Sequence, residues 1–146
     1  YGLGEGTAAM VGLAAFLGHL WPVFFRFEGG KGVATALGVL VGISPWLGLF
    51  TALTWLVVAL VSRYSSLASL SSAVLAPLVY VLAGGMLWST DRATVVAIMA
   101  MSALLAWRHQ ENISRLVQCK ESRLGKSKDA AAAVPVAANR KHRKRH

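Results

Sequence analysis

The segment Leu67 to Trp88 runs for 22 residues without a charged side chain, and it constrains the fold more than any other feature. At 1.5 Å rise per residue, a helix of that length crosses a hydrocarbon layer ~30 Å thick. Pro77 lies inside it, which a lipid-buried helix tolerates when neighbouring groups satisfy the freed carbonyl. Other runs repeat the pattern. Thr7 to Phe25 is interrupted only by His19, and Pro22 stands where it would kink or end a helix. Val33 to Ile43 is apolar but only 11 residues long, stopped by Ser44-Pro45; it reaches about half a bilayer and reads as a short or re-entrant segment. Trp46 to Val61 and Ala93 to Trp107 complete the set. Trp46, Trp88 and Trp107 fall at the ends of runs, where indole rings favour the headgroup level. The fold class predicted is an all-α integral membrane protein, a polytopic bundle of transmembrane helices.

Charge placement supports this and orients it. Hydrophobic residues make up 55% of the chain and charged ones 14%, and the mean hydropathy is +0.55, too apolar for an ordinary soluble domain. Residues 1–107 carry four Lys/Arg and three acids, whereas residues 108–146 carry eleven and three. A basic tail after the last apolar run is expected on the cytoplasmic side. Counting back puts Asp91-Arg92 outside and Arg63 inside. The Arg26 to Lys31 loop is inside if the Val33 and Trp46 segments together make an even number of crossings. Arg108 to Leu124 reads as a polar helix with Ile113, Leu116 and Val117 as its apolar edge. Residues 125–146 offer nothing to bury and read as a disordered basic tail, leaving 1–124 as the membrane domain. The tail lacks the interleaved aromatics of a nucleic-acid arm, so no nucleic-acid partner is expected. The lone Cys119 excludes an internal disulfide. Starting at Tyr1 in mid-pattern, without a signal-peptide pattern, the chain reads as a fragment or processed piece.

Three polar clusters interrupt the apolar background, each at the end of a run. Ionisable groups at membrane depth are costly and mark function. The first comprises Gly18-His19-Leu20-Trp21-Pro22 and then Gly29-Gly30-Lys31-Gly32-Val33-Ala34-Thr35. Glycines let backbone N–H groups approach a ligand, the helix that follows turns its positive end toward an anion, and Lys31 adds a charge. These describe a phosphate cradle, though an interfacial turn with a snorkelling lysine fits as well. The Walker spacing is absent, with Phe25 at the first-glycine position and Gly32 in place of Ser/Thr. The second cluster is Arg63-Tyr64-Ser65-Ser66: Arg63 with the Ser65 hydroxyl suits a phosphate, or Arg63 is a positive-inside arginine before a serine N-cap. The third is Arg108-His109-Gln110-Glu111-Asn112-Ile113-Ser114-Arg115-Leu116. On a helix, His109 and Asn112 share a face, flanked by Arg108 and Arg115. That set suits a phosphorylated, hydroxyl-bearing molecule, with His109 taking or orienting a hydroxyl proton, and it also fits a helix on anionic lipid headgroups. No G-x-S-x-G elbow, H-E-x-x-H or Cys/His metal spacing occurs. The H-x-x-x-x-D acyltransferase pair is also missing, since Phe24 and Ser114 follow His19 and His109 at that place.

In this order the three clusters resemble the PlsY family of acyl-phosphate-dependent glycerol-3-phosphate acyltransferases. The matching stretches are Gly18 to Phe24 with Gly29 to Thr35, Arg63 to Leu67, and His109 with Asn112-Ile113 and Arg115-Leu116. The resemblance implies transfer of an acyl chain from acyl phosphate to the sn-1 hydroxyl of glycerol 3-phosphate, giving lysophosphatidic acid for phospholipid synthesis. It implies a multi-pass location in the bacterial inner membrane, with the active site and C-terminus cytoplasmic, glycerol 3-phosphate and acyl phosphate as partners within the bilayer, and no cofactor or metal. It also implies that Gly29, Gly30, Lys31, Gly32, His19, Arg63, Ser65 and Arg115 bind substrate phosphate, with His109 and Asn112 catalytic. The chain departs from the family where a further Gly/Ser/Asn-rich loop and two membrane segments are expected, which makes it N-terminally incomplete and the piece alone inactive. It departs again at Gln110, where arginine is common, and at Cys119, where glycine is common. A channel or transporter subunit with a cytoplasmic anion-binding loop is the alternative reading.

Overall fold

The computed structural model describes residues 4–22 and 29–125. The residues Val23 to Phe25, at the end of the first apolar run, and the basic segment after Gly125 lie outside these. Six helices follow in order: α1 (Glu5–Leu20), α2 (Val33–Ile43), α3 (Pro45–Ser62), α4 (Ser65–Leu82), α5 (Arg92–Arg108) and α6 (Gln110–Val117).

The boundaries follow from local chemistry. Helix α1 ends at Trp21, one residue before Pro22, as a proline after a helix end requires. Ser44 closes α2 and Pro45 takes the first position of α3, where its missing N–H is no loss. The two helices turn back tightly, and a Cβ on Gly48 would collide with Val41. Helix α4 stops at Leu82 rather than running to Trp88, because Gly84 and Gly85 form a turn in which Gly85 N–H bonds the Trp88 carbonyl. The Tyr80 ring stacks on Trp88 at 5.8 Å, and Asp91 caps α5 through Thr94 N–H at 2.9 Å. The third cluster is not one helix. His109 ends α5 and begins α6, and the polar helix stops at Val117 instead of Leu124.

Helices α1 to α5 each pack on the next, and α5 returns to α1, so the bundle closes into a ring. Phe16, Leu20, Leu40, Leu47, Ala73, Ala76, Tyr80, Ile98, Met101 and Leu105 form its core. Several side-chain donors in the apolar helices are satisfied within the ring. Trp55 Nε1 donates to Ser69 Oγ at 3.1 Å, Ser69 Oγ donates to the Ser65 carbonyl at 2.9 Å, and Thr51 Oγ1 to the Leu47 carbonyl at 2.8 Å. Val57, Leu60, Val61, Val74 and Leu82 are exposed on the outward face, apolar side chains that suit hydrocarbon. Helices α3 and α4 are each long and apolar enough to cross a membrane.

Helices α2 to α5 line a partly open cavity of about 350 Å³, with Val33, Leu40, Ala73, Ala76, Met101 and Leu105 among its walls. Five polypeptide ends meet above it: the end of α1, the start of α2, the end of α3, the start of α4 and the end of α5. Lys31 therefore stands at the same end of the bundle as the α5–α6 junction, so α2 leaves that end and α3 returns to it.

Candidate active site

The glycine loop is shaped by how closely it lies on the end of α1. A Cβ at Gly29 would run into the Leu20 and His19 carbonyls. Gly32 precedes α2 with a φ of 79°, and a Cβ there would meet Phe16 Cε2 at 2.5 Å and Leu20 Cδ1 at 2.7 Å. Only glycine satisfies both conditions. No side chain caps α2, so its first N–H groups remain available to an anion. The His19 ring rests over the loop, with Nε2 where a Gly30 side chain would begin.

Two groups from the third cluster hold this loop. Arg108 Nη2 donates to the Gly29 carbonyl at 2.8 Å and to the Gly30 carbonyl at 3.3 Å. Lys31 Nζ donates to Asn112 Oδ1 at 2.6 Å. Asn112 is buried and passes the interaction on, donating through Nδ2 to Glu121 Oε1 at 2.7 Å. The carboxylate of Glu121 also accepts from Ser66 Oγ at 2.8 Å and from Arg115 Nε at 2.8 Å. Arg115 bridges further to Glu111 at 3.7 Å. These contacts form one chain, from Lys31 through Asn112 to Glu121, Ser66 and Arg115. The amide of Asn112 is oriented by having an ammonium on one side and a carboxylate on the other.

The electrostatics follow from the geometry. Burial alone would raise the Glu121 carboxyl, but the hydrogen bonds from Arg115, Asn112 and Ser66, with the charge of Arg115, outweigh it and hold the pKa at about 2. His109 is buried, and that desolvation pushes its pKa below the usual histidine value, with Lys31 acting in the same direction. Its Nδ1 lies 2.8 Å from the Leu105 carbonyl. A carbonyl only accepts, so Nδ1 carries the proton and Nε2 keeps a free lone pair.

A polar pocket of about 430 Å³ opens over this network, lined by Gly29, Gly30, Lys31, Arg108, Gln110 and Glu111 together with Trp107. The structure thus brings His19, Gly29, Gly30, Lys31, Gly32, His109, Asn112 and Arg115 to one end of the bundle. Arg63 and Ser65 stand at its margin. Arg63 adopts a left-handed conformation at the end of α3 and offers its carbonyl to Leu124 N–H at 2.7 Å. Ser65 is exposed at the start of α4, and it is Ser66 that turns inward. Glu121 escaped the sequence reading, and Ser66 entered it only as a member of the second cluster. Glu121 lies past the apolar edge of Ile113, Leu116 and Val117, and nine residues from Asn112 falls on the opposite face of a helix; only an acid among basic neighbours hinted at it.

Known proteins resemble this chain in sequence and fold. A family model described as glycerol-3-phosphate acyltransferase matches residues 2–119. The glycerol-3-phosphate acyltransferase of Albidiferax ferrireducens is 61% identical over 126 residues, covering 86% of this chain and 56% of the relative. That of Janthinobacterium sp. (strain Marseille) is 56% identical over 128 residues, covering 88% and 61%. Among solved structures, the integral membrane glycerol 3-phosphate acyltransferase PlsY in its glycerol 3-phosphate form superposes with a TM-score of 0.75 at 44% identity. The match covers 80% of this chain and 56% of that one; the lysophosphatidic acid form superposes equally well. The chain spans 56% to 61% of the length of these curated relatives and has an all-α membrane fold like that of the solved neighbour. It belongs to the glycerol-3-phosphate acyltransferase family.

Proposed function

We propose that the complete protein transfers an acyl chain from acyl phosphate to the sn-1 hydroxyl of glycerol 3-phosphate, and that this chain carries most of the site. The observation that carries the reading is the 2.6 Å contact between Lys31 and Asn112, 81 residues apart, directly above an apolar cavity. One end of the bundle thereby offers cationic and N–H groups for phosphates, and its interior offers room for a hydrocarbon chain. The solved neighbour with glycerol 3-phosphate bound, and its lysophosphatidic acid form, support the same substrate and product.

In this reading, the first N–H groups of α2 and Lys31 hold a phosphate, with Arg108 keeping the loop in place. Arg63, Ser65, His19 and Arg115 add polar groups at the rim. The sn-1 oxygen attacks the acyl carbon, the bond from that carbon to the phosphate oxygen breaks, and an ester forms. His109 Nε2 accepts the hydroxyl proton, and the departing phosphate carries it away. Acyl phosphate is a mixed anhydride with a good leaving group, so placing two anions and neutralising their charge supplies most of the rate. A further substrate-binding loop, outside this chain in the family pattern, completes the pocket. The basic residues Arg63, Arg108, Arg115, Lys120 and Arg123 gather at the site end, which supports a cytoplasmic orientation in a bacterial inner membrane.

The test is donor use by the full-length protein in liposomes. Acyl phosphate with glycerol 3-phosphate is expected to give lysophosphatidate and inorganic phosphate in equal amounts, with the chain on the sn-1 oxygen. Turnover with acyl thioester alone, or a sn-2 product, would contradict the proposal.

A further inference from the structure

The inner cavity is not sealed from the surrounding hydrocarbon by equal walls. A second cavity, a groove of about 550 Å³ on the outer face between α4 and α5, is lined by Leu70, Val74 and Pro77 on one side and Met99, Ala103 and Ala106 on the other. Val74 and Met99 are exposed on the bundle surface. The groove and the inner cavity share two lining residues, Ala73 of α4 and Ser102 of α5. At that depth, one alanine and one serine stand between the inner cavity and the groove.

Three other seams are closed by identifiable contacts. The α3–α4 seam is laced by Trp55 to Ser69 and by Ser72 to the Thr51 carbonyl. The α1–α2 and α2–α3 seams close on glycines, Gly12 against Val39 and Gly48 against Val41. Between its two ends the α4–α5 seam has no interhelical hydrogen bond among the described residues. Helix α4 is also weakened at this place. Pro77 lacks the N–H that would bond the carbonyl four residues back, and that carbonyl belongs to Ala73.

We propose that the α4–α5 seam is a lateral portal through which a single acyl chain passes between the bilayer and the inner cavity, a role that rests on the acyl-transfer reading above. Both sides of the portal are apolar, so a chain crosses without leaving hydrocarbon. The groove reaches Ala106, next to Trp107 and Arg108 of the polar pocket. An amphiphile can therefore slide sideways with its phosphate kept at the polar end. The same opening lets the acyl donor in and the lysolipid product out.

The experiment uses the full-length protein in liposomes, with Cys119→Gly and any other cysteines replaced, carrying Ala103→Cys in the outer groove. An apolar benzyl thiosulfonate labels the introduced thiol from the bilayer. Transfer to glycerol 3-phosphate is then measured from palmitoyl phosphate and from water-soluble hexanoyl phosphate. The label is expected to slow palmitoyl transfer by about tenfold or more and hexanoyl transfer by less than about twofold. Reduction should restore the rate, and the same label on Val57→Cys, outside α3, should change neither donor. Three results would overturn the portal: unchanged palmitoyl transfer by the labelled enzyme, equal loss with both donors, or a groove thiol that the reagent cannot reach in the bilayer. If the unlabelled protein acylates glycerol 3-phosphate from neither donor, the acyl-transfer reading itself is what fails.

Discussion

Removing the Glu121 side chain should destabilise the site end of the bundle more than any other single truncation at an ionised residue. Its carboxylate, 7% exposed, accepts from Ser66, Asn112 and Arg115. In Glu121→Ala, Ser66 and Asn112, at 4% and 6% exposure, lose their acceptor, at ~1–3 kcal/mol each. Arg115, with 45% of its side chain exposed, turns to water or to Glu111, so its share is small, ~0–1 kcal/mol. The expected loss is about 3 to 5 kcal/mol, the range for breaking a buried polar pair. Thermal unfolding of the full-length protein in detergent should register it as a fall in Tm of about 10 °C. Glu121→Gln keeps an acceptor for Ser66 and Asn112 and should lose only about 1 to 2 kcal/mol. An alanine variant melting with the wild type would refute the reasoning, because it would mean the three donors do not depend on this carboxylate.

The same group sets an acid limit. Its folded pKa of about 2 lies below the ordinary value of 4.5, so its contribution is present above about pH 4.5 and is lost as pH falls toward 2; Glu121→Gln should flatten the stability profile over that window. Gly32→Ala should cost about 2 to 4 kcal/mol, from the clash with Phe16 and Leu20 and the positive φ, read as a lowered Tm together with a raised KM for glycerol 3-phosphate. Cys119 holds a φ of 55° just past α6, where Lys120 N–H bonds the Arg115 carbonyl, the position that favours glycine. Cys119→Gly should therefore gain about 0.5 to 1 kcal/mol and raise the Tm by a few degrees; a lower Tm would contradict it.

Element positions were largely legible because apolar runs end at recognisable stops. Ser44-Pro45 fixed the α2–α3 turn, and Pro22 the end of α1. Trp88 was misplaced into α4 because the Gly84-Gly85 turn lies inside an otherwise apolar run. Helix facing was not legible: α3 and α4 are apolar on nearly every side, so their periodicity does not say which residue points inward. The loop, the histidine and the asparagine were visible as types. Arg108's grip on a carbonyl 79 residues away and Glu121's place at the centre of the network depend on tertiary folding, and no local pattern reports them.

We propose that Lys31 belongs to a phosphate site shared with Asn112 rather than to an interfacial turn. The most direct measurement is kcat/KM for glycerol 3-phosphate with Lys31→Ala in the full-length protein, at a temperature where its Tm shows it folded. Loss of the ammonium should lower it by about a hundredfold or more, ~3 kcal/mol of transition-state stabilisation. Wild-type kinetics from that variant would contradict the account and reduce the loop to a structural turn.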